Sequence, residues 1–304
     1  MSGSAHEALR KRLVGVYTIF LTPFTPSGEL DVAAVGENVE YLIAEGVDGI
    51  VVAGLYGEYA TMTRAERDQL TRAAVAASGG RVPVIACTAA GGTAEVLRNT
   101  KEAADGGADG AMITPPYGMI EPTEAHVIGH FEAVARGTDL PLLLYNNPNV
   151  TPTLAPALLA RLADIDGYVG IKQGAVTIQE HAELIALATG RLQIFSGSDQ
   201  AMVASLALGS IGVSSTQSNF IPGIIKDTYL AMLRNDLAEA RRLFGLWAEF
   251  RRFARRTAQP AAAKAAVELL GRRCGAPRMP LTPLQPAERA ELAGILRAMG
   301  LAVR

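Results

Sequence analysis

The chain has 304 residues, 49% of them hydrophobic, and a formal net charge of -2 at pH 7. This near-neutral charge, with no basic stripe, argues against a nucleic-acid partner, and no apolar run approaches the roughly 18 residues that a membrane helix needs. Cys87 and Cys274 lack metal-ligand spacing, and two cysteines do not make a disulfide framework. Since residues 1–12 are also too polar for a secretory signal, we expect a protein of the reducing cytoplasm.

Short β-rich segments alternate with helical patterns through most of the chain. Strands are predicted at residues 14–21, 49–53, 82–87, 110–113, 141–145, 168–172, 192–196 and 211–213. Helices are predicted at residues 31–45, 63–77, 93–104, 123–135, 154–162, 177–188 and 199–206, with one more after Pro222. Eight βα units in strict order predict an α/β fold, a (β/α)₈ TIM barrel. An open doubly wound sheet is the alternative, but the early strands are not followed by the G-x-G-x-x-G pattern.

The alternation stops near Arg234, and the rest of the chain has helical patterns only. These cover residues 236–253, 261–270 and 286–299. We therefore expect a barrel in residues 1–233, including a short N-terminal lead-in. Residues 234–304 form a C-terminal helical region that we expect to pack on the barrel.

Lys172 ends the predicted sixth strand, at the point where that strand leaves the core. The other lysines, Lys11, Lys101, Lys226 and Lys264, lie in polar or helical surroundings where we expect them to be solvated. Partial removal of Lys172 from water favours its neutral amine, and a neutral amine can attack a carbonyl carbon to form a Schiff base. The alternative is a structural lysine that reaches out to water or pairs with a carboxylate.

Several other polar or glycine-rich positions follow predicted strands. In a TIM barrel such positions lie around the active site at the carboxyl ends of the strands. They are the loop Gly54-Leu55-Tyr56-Gly57 after strand two, Tyr117 after strand four, Tyr145 at the end of strand five, Asp199 after strand seven and Ser214 after strand eight. Several have a structural alternative: Tyr117 and Tyr145 as packed aromatics, the glycines as a turn and Asp199 as a helix N-cap. For Glu58 we favour a structural role, as a cap or in a salt bridge.

Three motifs occur in order on these strands, namely Gly54-x-x-Gly57-Glu58, Tyr145-Asn146-x-Pro148 and Gly170-Ile171-Lys172. Together with the segments at residues 21–24 and 278–284, they resemble the dihydrodipicolinate synthase and N-acetylneuraminate lyase family. The resemblance covers nearly the whole chain. It implies a class I lyase of 2-keto acids that uses neither a metal nor another cofactor, and a homotetramer.

The resemblance also implies roles for particular residues. Lys172 would attack the keto carbon of pyruvate or a related 2-keto acid, and Tyr145 would shuttle protons. Backbone N–H groups of the loop between Gly54 and Gly57 would bind the keto-acid carboxylate. Tyr117 is similar to the tyrosine that relays protons in this family, often across a subunit interface.

This chain departs from the family pattern at three places. Leu55 and Tyr56 stand where the synthase and the lyase have hydroxyl residues, and Gln200 stands where the lyase has a glutamate. Val150 stands where the synthase has the arginine that holds the carboxylate of aspartate semialdehyde, and an apolar side chain cannot form that bidentate pair. An aromatic residue between the glycines resembles hydratase-aldolases that release pyruvate from aryl substrates, although that branch lacks the Tyr-Asn pair.

The first hypothesis for function is therefore a Schiff-base aldolase or lyase that takes pyruvate and an unidentified aldehyde. A dehydratase of 2-keto-3-deoxy sugar acids would use the same lysine imine. Dihydrodipicolinate synthase itself, and a non-catalytic family member that serves as a binding protein, are the remaining alternatives. Retention of both Lys172 and Tyr145 argues against the last, since binding alone does not require a basic amine beside a phenol.

Overall fold

Eight parallel strands form a closed barrel in the computed structural model, which describes residues 2–118, 122–174, 176–257 and 259–304. The strands are β1 (Gly15–Ile19), β2 (Gly49–Val52), β3 (Val84–Cys87), β4 (Gly110–Ile113), β5 (Leu142–Asn146), β6 (Tyr168–Gln173), β7 (Gln193–Ser196) and β8 (Gly212–Ser215). Each strand pairs with its neighbours in sequence, and β8 closes the barrel on β1. The predicted TIM barrel is confirmed, and the open sheet is excluded.

Helices alternate with these strands around the barrel. They are α1 (Ser2–Arg12), α2 (Val32–Ala44), α3 (Arg64–Ser78), α4 (Thr93–Asp105), α5 (Glu124–Arg136), α6 (Pro156–Leu162), α7 (Ile178–Ala188), α8 (Met202–Ala207) and α9 (Pro222–Leu233). Side-chain capping explains where two of the predicted helices begin. Asp31 caps α2, and Thr63 forms a capping box with Glu66 at the start of α3.

Four further helices follow the barrel: α10 (Leu237–Leu246), α11 (Ala248–Arg256), α12 (Ala261–Leu269) and α13 (Pro286–Ala298). The single helix predicted at residues 236–253 is wrong, because the chain leaves helical geometry at Trp247. Trp247 is fully buried and joins a cluster with Phe220, Phe250 and Val213 of β8. Burial of this large ring holds the C-terminal helices on the barrel. The boundary between residues 233 and 234 stays a prediction.

Lys264 on α12 does not have the solvated position that was expected. Only 1% of its side chain is exposed, and its Nζ lies 2.7 Å from Oε1 of Glu58 and 4.3 Å from the ring centroid of Phe24. Most of the other residues of α12 are alanines, and nearly the whole helix is buried. A helix that is apolar all round offers no face to water, so its lysine needs an internal partner. The structural role favoured for Glu58 is confirmed.

No helix in the described parts of the chain is long and apolar enough to cross a membrane.

Candidate active site

A cavity of about 360 Å³ opens at the carboxyl ends of the strands. Among the residues that line it are Tyr56, Tyr145, Lys172, Asp199 and Ser214. These five come from loops or strand ends between β2 and β8, and the closed parallel barrel brings them together. The cavity is therefore the candidate active site.

Lys172 and Tyr145 face each other across neighbouring strands. They are register partners on β6 and β5, and Lys172 Nζ lies 3.3 Å from the Tyr145 hydroxyl oxygen and 4.3 Å from the centroid of its ring. Lys172 is 5% exposed and Tyr145 is 3% exposed, so both are buried. The arrangement places a primary amine and a phenol in direct contact at the floor of the cavity.

Asn147 orients the Tyr145 phenol. Its Nδ2 donates to the phenolic oxygen over 2.8 Å. Because that oxygen also accepts from Lys172 Nζ, its own proton is left to donate elsewhere. Asn147 occupies the variable position of the Tyr-Asn-x-Pro motif, and its role was missed because the pattern specifies no residue type there.

Asn146 holds the strand ends that carry the pair. Its Nδ2 donates to Gln173 Oε1 over 3.1 Å and to the carbonyl of Leu154 over 3.0 Å, while its Oδ1 accepts from Leu154 N. The side chain thus ties the loop after β5 to the residue next to Lys172. Cross-links of this kind limit the freedom of a site that must keep its geometry.

Asp199 is buried, with 8% of its surface exposed, at the start of a short 3₁₀ helix after β7. Its Oδ2 accepts from the backbone N–H of Thr216 over 3.1 Å, so it bonds the segment after β8 and does not cap its own helix. The N-cap alternative is wrong. Burial raises the pKa of this carboxyl to about 6, although hydrogen bonds from Ser215 and Thr216 and the charge of Lys172 oppose the rise.

The glycine-rich loop after β2 sends only one of its side chains to the cavity. Tyr56 lines it, and burial raises the pKa of the Tyr56 phenol, with Tyr145 and Asp199 adding to the effect. Leu55 packs against the barrel core. Gly57 is required sterically, because a Cβ there would lie 2.9 Å from the carbonyl oxygen of Phe20. Within the described residues, the N–H groups of Leu55 and Tyr56 donate no hydrogen bond.

Tyr117 and Val150 lie outside the cavity lining. Tyr117 is half-buried and hydrogen-bonds Tyr59; burial is the main cause that raises the pKa of both phenols. Val150 is partly exposed on the loop after β5, where its N–H donates to the carbonyl of Asn147 over 3.0 Å. Within one chain, neither side chain meets the Lys172–Tyr145 pair.

Arg251 also lines the cavity, and no sequence pattern pointed to it. It lies on α11, far along the chain from every barrel motif. Gln217 and Gln259 join it on the same cavity. The C-terminal helical region therefore contributes part of the wall, which the barrel repeat by itself cannot predict.

Comparison with known proteins gives this arrangement its class. A model of the "Dihydrodipicolinate synthetase family" matches residues 12–299 of this chain. The chain is 38% identical over 291 residues to the 4-hydroxy-tetrahydrodipicolinate synthase of Synechococcus sp. (strain JA-2-3B'a(2-13)), a match that spans 94% of both chains. It is 35% identical to the enzyme of that name from Nitratidesulfovibrio vulgaris (strain DSM 19637 / Miyazaki F), over 94% of this chain and 98% of the relative.

The fold of this chain is also similar to that of a solved dihydrodipicolinate synthase. The crystal structure of dihydrodipicolinate synthase from Aquifex aeolicus superposes with a TM-score of 0.91 at 29% identity, over 96% of this chain and 99% of that one. The protein is thus an enzyme of the class I lyase type. It belongs to the dihydrodipicolinate synthetase family.

Proposed function

We propose that this enzyme is an aldolase that forms a Schiff base between Lys172 and pyruvate or a related 2-keto acid. The observation that carries the proposal is the 3.3 Å contact between Lys172 Nζ and the Tyr145 hydroxyl inside the cavity. A buried amine beside a group that can give and take a proton suits imine formation.

The reaction then follows ordinary imine chemistry. The amine adds to the keto carbon, and the carbinolamine loses water to give an iminium ion. Loss of a proton from the adjacent carbon gives an enamine. The enamine forms a C–C bond with the carbonyl carbon of the aldehyde, whose oxygen takes up a proton to become a hydroxyl group as the iminium ion forms again. Water hydrolyses the resulting imine and frees Lys172. The same steps in reverse cleave the bond.

Tyr145 is our candidate for the proton transfers. Its oxygen accepts from Asn147 and Lys172, so its proton is directed towards the reacting atoms or a relay. Tyr56 is the candidate for the next group in that relay, because its phenol lies close enough to Tyr145 and Asp199 to be affected by both. The N–H groups of Leu55 and Tyr56 would bind the carboxylate of the keto acid, with Gly54 and Gly57 shaping the loop.

Borohydride trapping tests the proposal. The protein is incubated with each of a panel of 2-keto acids, reduced and digested, and the adduct is mapped by mass spectrometry. We expect the adduct on Lys172 and its loss in Lys172→Arg, since a guanidinium stays protonated. Lys101→Arg, at an exposed lysine, is the matched control and keeps the adduct. An adduct on Lys101 or Lys264, or none with any acid, would overturn the assignment.

A dehydratase of 2-keto-3-deoxy sugar acids is the second candidate. It is favoured by acceptor atoms on the cavity wall that have no partner among the described residues, at Asp199 and Gln217, since these suit a hydroxylated substrate. Product analysis separates the two reactions. An aldolase yields a keto acid and an aldehyde from its cleavage substrate, whereas a dehydratase yields one dehydrated keto acid.

A further inference from the structure

The wall of the cavity formed by α11 carries a guanidinium group held in a defined position. Arg251 Nη1 donates to the carbonyl of Phe244 over 2.6 Å. Its guanidinium carbon lies 4.0 Å from the ring centroid of Phe244 and 4.3 Å from that of Trp247. Stacking on two rings fixes the plane of the group without consuming its other donors.

No carboxylate neutralises Arg251 among the residues that the structure describes. Its helix neighbours do have partners: Arg252 pairs with Glu249, and Arg256 pairs with Glu291. Arg255, also nearby, donates to Gln200, another residue of the cavity wall. Arg251 is half-buried and lines the cavity, and its guanidinium keeps donors that are not used within the described residues. A guanidinium of this kind can bind an anion.

The charges around the cavity support the same conclusion. Lys172 and Arg251 both line it, and Asp199 is the carboxyl group on the same lining. In the proposed function, Lys172 forms the imine with the keto acid. The positive charge that remains at Arg251 is available to a second part of the substrate.

Buried polar atoms on the cavity wall indicate which ligand groups would fit there together with the two cations. Asp199 Oδ1, Ser214 Oγ and Gln217 Oε1 have no hydrogen-bond partner in the described parts of the chain, and all three side chains are more than nine-tenths buried on the cavity wall. Gln259 Oε1 also has no partner among the described residues, although the residue is only partly buried. Buried polar atoms without partners are rare in folded proteins. A ligand with hydroxyl groups would satisfy them.

We propose that Arg251 binds an anionic terminal group on the aldehyde partner, so that the acceptor is a hydroxylated aldehyde that ends in a carboxylate or a phosphate. The inference rests on the proposed Schiff-base reaction and adds the chemistry of its second substrate. Val150 provides no cation on the loop after β5, and Arg251 supplies one from α11. The negative end of the aldehyde would therefore point to the C-terminal helices, with its hydroxyl groups at Asp199 and Gln217.

The test compares aldehydes that differ in terminal charge. Addition to pyruvate is measured with glyceraldehyde, glyceraldehyde 3-phosphate and succinic semialdehyde, in the wild type, Arg251→Gln and Arg251→Lys. We expect Arg251→Gln to lower kcat/KM for the charged aldehydes by roughly 10- to 100-fold, the value of a lost charged hydrogen bond. The neutral aldehyde should change only a few-fold. Arg252→Gln, one residue away and exposed, is the matched control and should leave the charge preference unchanged.

Binding measurements make the test independent of turnover. Glycerol 3-phosphate, glycerate and glycerol are titrated into the protein in the presence of pyruvate. Tighter binding of glycerol 3-phosphate than of glycerol identifies phosphate as the bound group, and tighter binding of glycerate than of glycerol identifies carboxylate. Arg251→Gln should remove that preference. The inference is overturned if the wild type prefers no anion in either measurement, or if Arg251→Gln keeps the preference. Arg251→Lys, which keeps the positive charge, should retain part of it. Trapping of pyruvate on Lys172 in the same variants shows separately whether the proposed function holds.

Discussion

Lys264 Nζ lies 2.7 Å from Glu58 Oε1, and both side chains are closed off from water, with 1% and 0% of their surfaces exposed. The second oxygen of Glu58 accepts from the backbone N–H of Arg278 over 2.8 Å. Glu58 directly follows the loop that carries Tyr56. The ion pair therefore ties the loop after β2 to the C-terminal helical region, and both of these contribute residues to the cavity.

Removal of one member of this pair should destabilise the protein strongly. Lys264→Met leaves the Glu58 carboxylate buried without its ammonium partner, which typically costs about 3–5 kcal/mol. Urea unfolding measures the loss. The double variant Lys264→Met/Glu58→Gln should recover part of it, because no isolated charge remains. Lys101→Met is the exposed control, and a loss in Lys264→Met no larger than in this control would contradict the prediction.

Tyr145→Phe should keep the fold and lose most turnover. The ring still packs over Lys172, but the hydroxyl that accepts from Asn147 and Lys172 is gone. A general acid–base group typically contributes about 10²–10⁴-fold. Tyr168→Phe is the matched control, since that hydroxyl bonds the carbonyl of Phe131 away from the cavity. Steady-state kinetics decide between the outcomes, and near-native turnover in Tyr145→Phe would remove the residue from the mechanism.

The buried Asp199 predicts a pH dependence of stability. Its pKa is raised to about 6 in the folded protein from an ordinary value of 3.8, so the folded state holds the proton more tightly than the unfolded state. The protonated carboxyl therefore stabilises the folded protein at low pH. As pH rises from about 4 to about 6, the free energy of unfolding falls by roughly 3 kcal/mol in total.

Asp199→Asn, which does not titrate, isolates this effect. The free energy of unfolding of the wild type, minus that of the variant, should fall between about pH 4 and about pH 6 and stay constant at higher pH. Urea unfolding at several pH values between 4 and 7.5 provides the measurement. A difference that does not change with pH, or that increases, would refute the assigned pKa.

We expect weak activity as a dihydrodipicolinate synthase, although the relatives carry the corresponding name. Val150 cannot pair with the carboxylate of aspartate semialdehyde where the synthase places its arginine, and a carboxylate without a partner costs several kcal/mol. Activity should therefore be at least about 10²-fold below that of a true synthase, unless Arg251 supplies the missing cation from α11. A coupled assay with pyruvate and aspartate semialdehyde tests this. Val150→Arg should raise the rate and Val150→Leu should not; efficient condensation by the unmodified protein would restore the synthase assignment.

We also infer a homotetramer, in which Tyr117 from a neighbouring subunit would complete the proton relay. Tyr117 is half-buried beside Tyr59 and does not reach the cavity of its own chain. Light scattering at micromolar concentration should give four chains, and Tyr117→Phe should lower turnover while the assembly persists. An active monomer would rule out both the assembly and the shared relay.

The sequence alone determined the barrel and the positions of Lys172 and Tyr145. Strand and helix signals are local, since they depend on short apolar runs, caps such as Thr63 and breaks at glycine and proline. Once eight βα units are counted, the carboxyl ends of the strands must meet at one rim. Residues at strand ends could therefore be grouped before any contact was known.

Only the tertiary structure decided which side chains meet across long distances in the chain. Lys264 was expected in water because its immediate neighbours are helical, but α12 packs where no face reaches solvent. The break at Trp247 turns α11 so that Arg251 lines the cavity. Asp199 bonds the segment after β8 instead of capping its own helix. The first two outcomes depend on the packing of helices that lie outside the βα repeat, and the third depends on a contact between the segments after β7 and β8. Packing between distant segments leaves no periodic signal in the sequence.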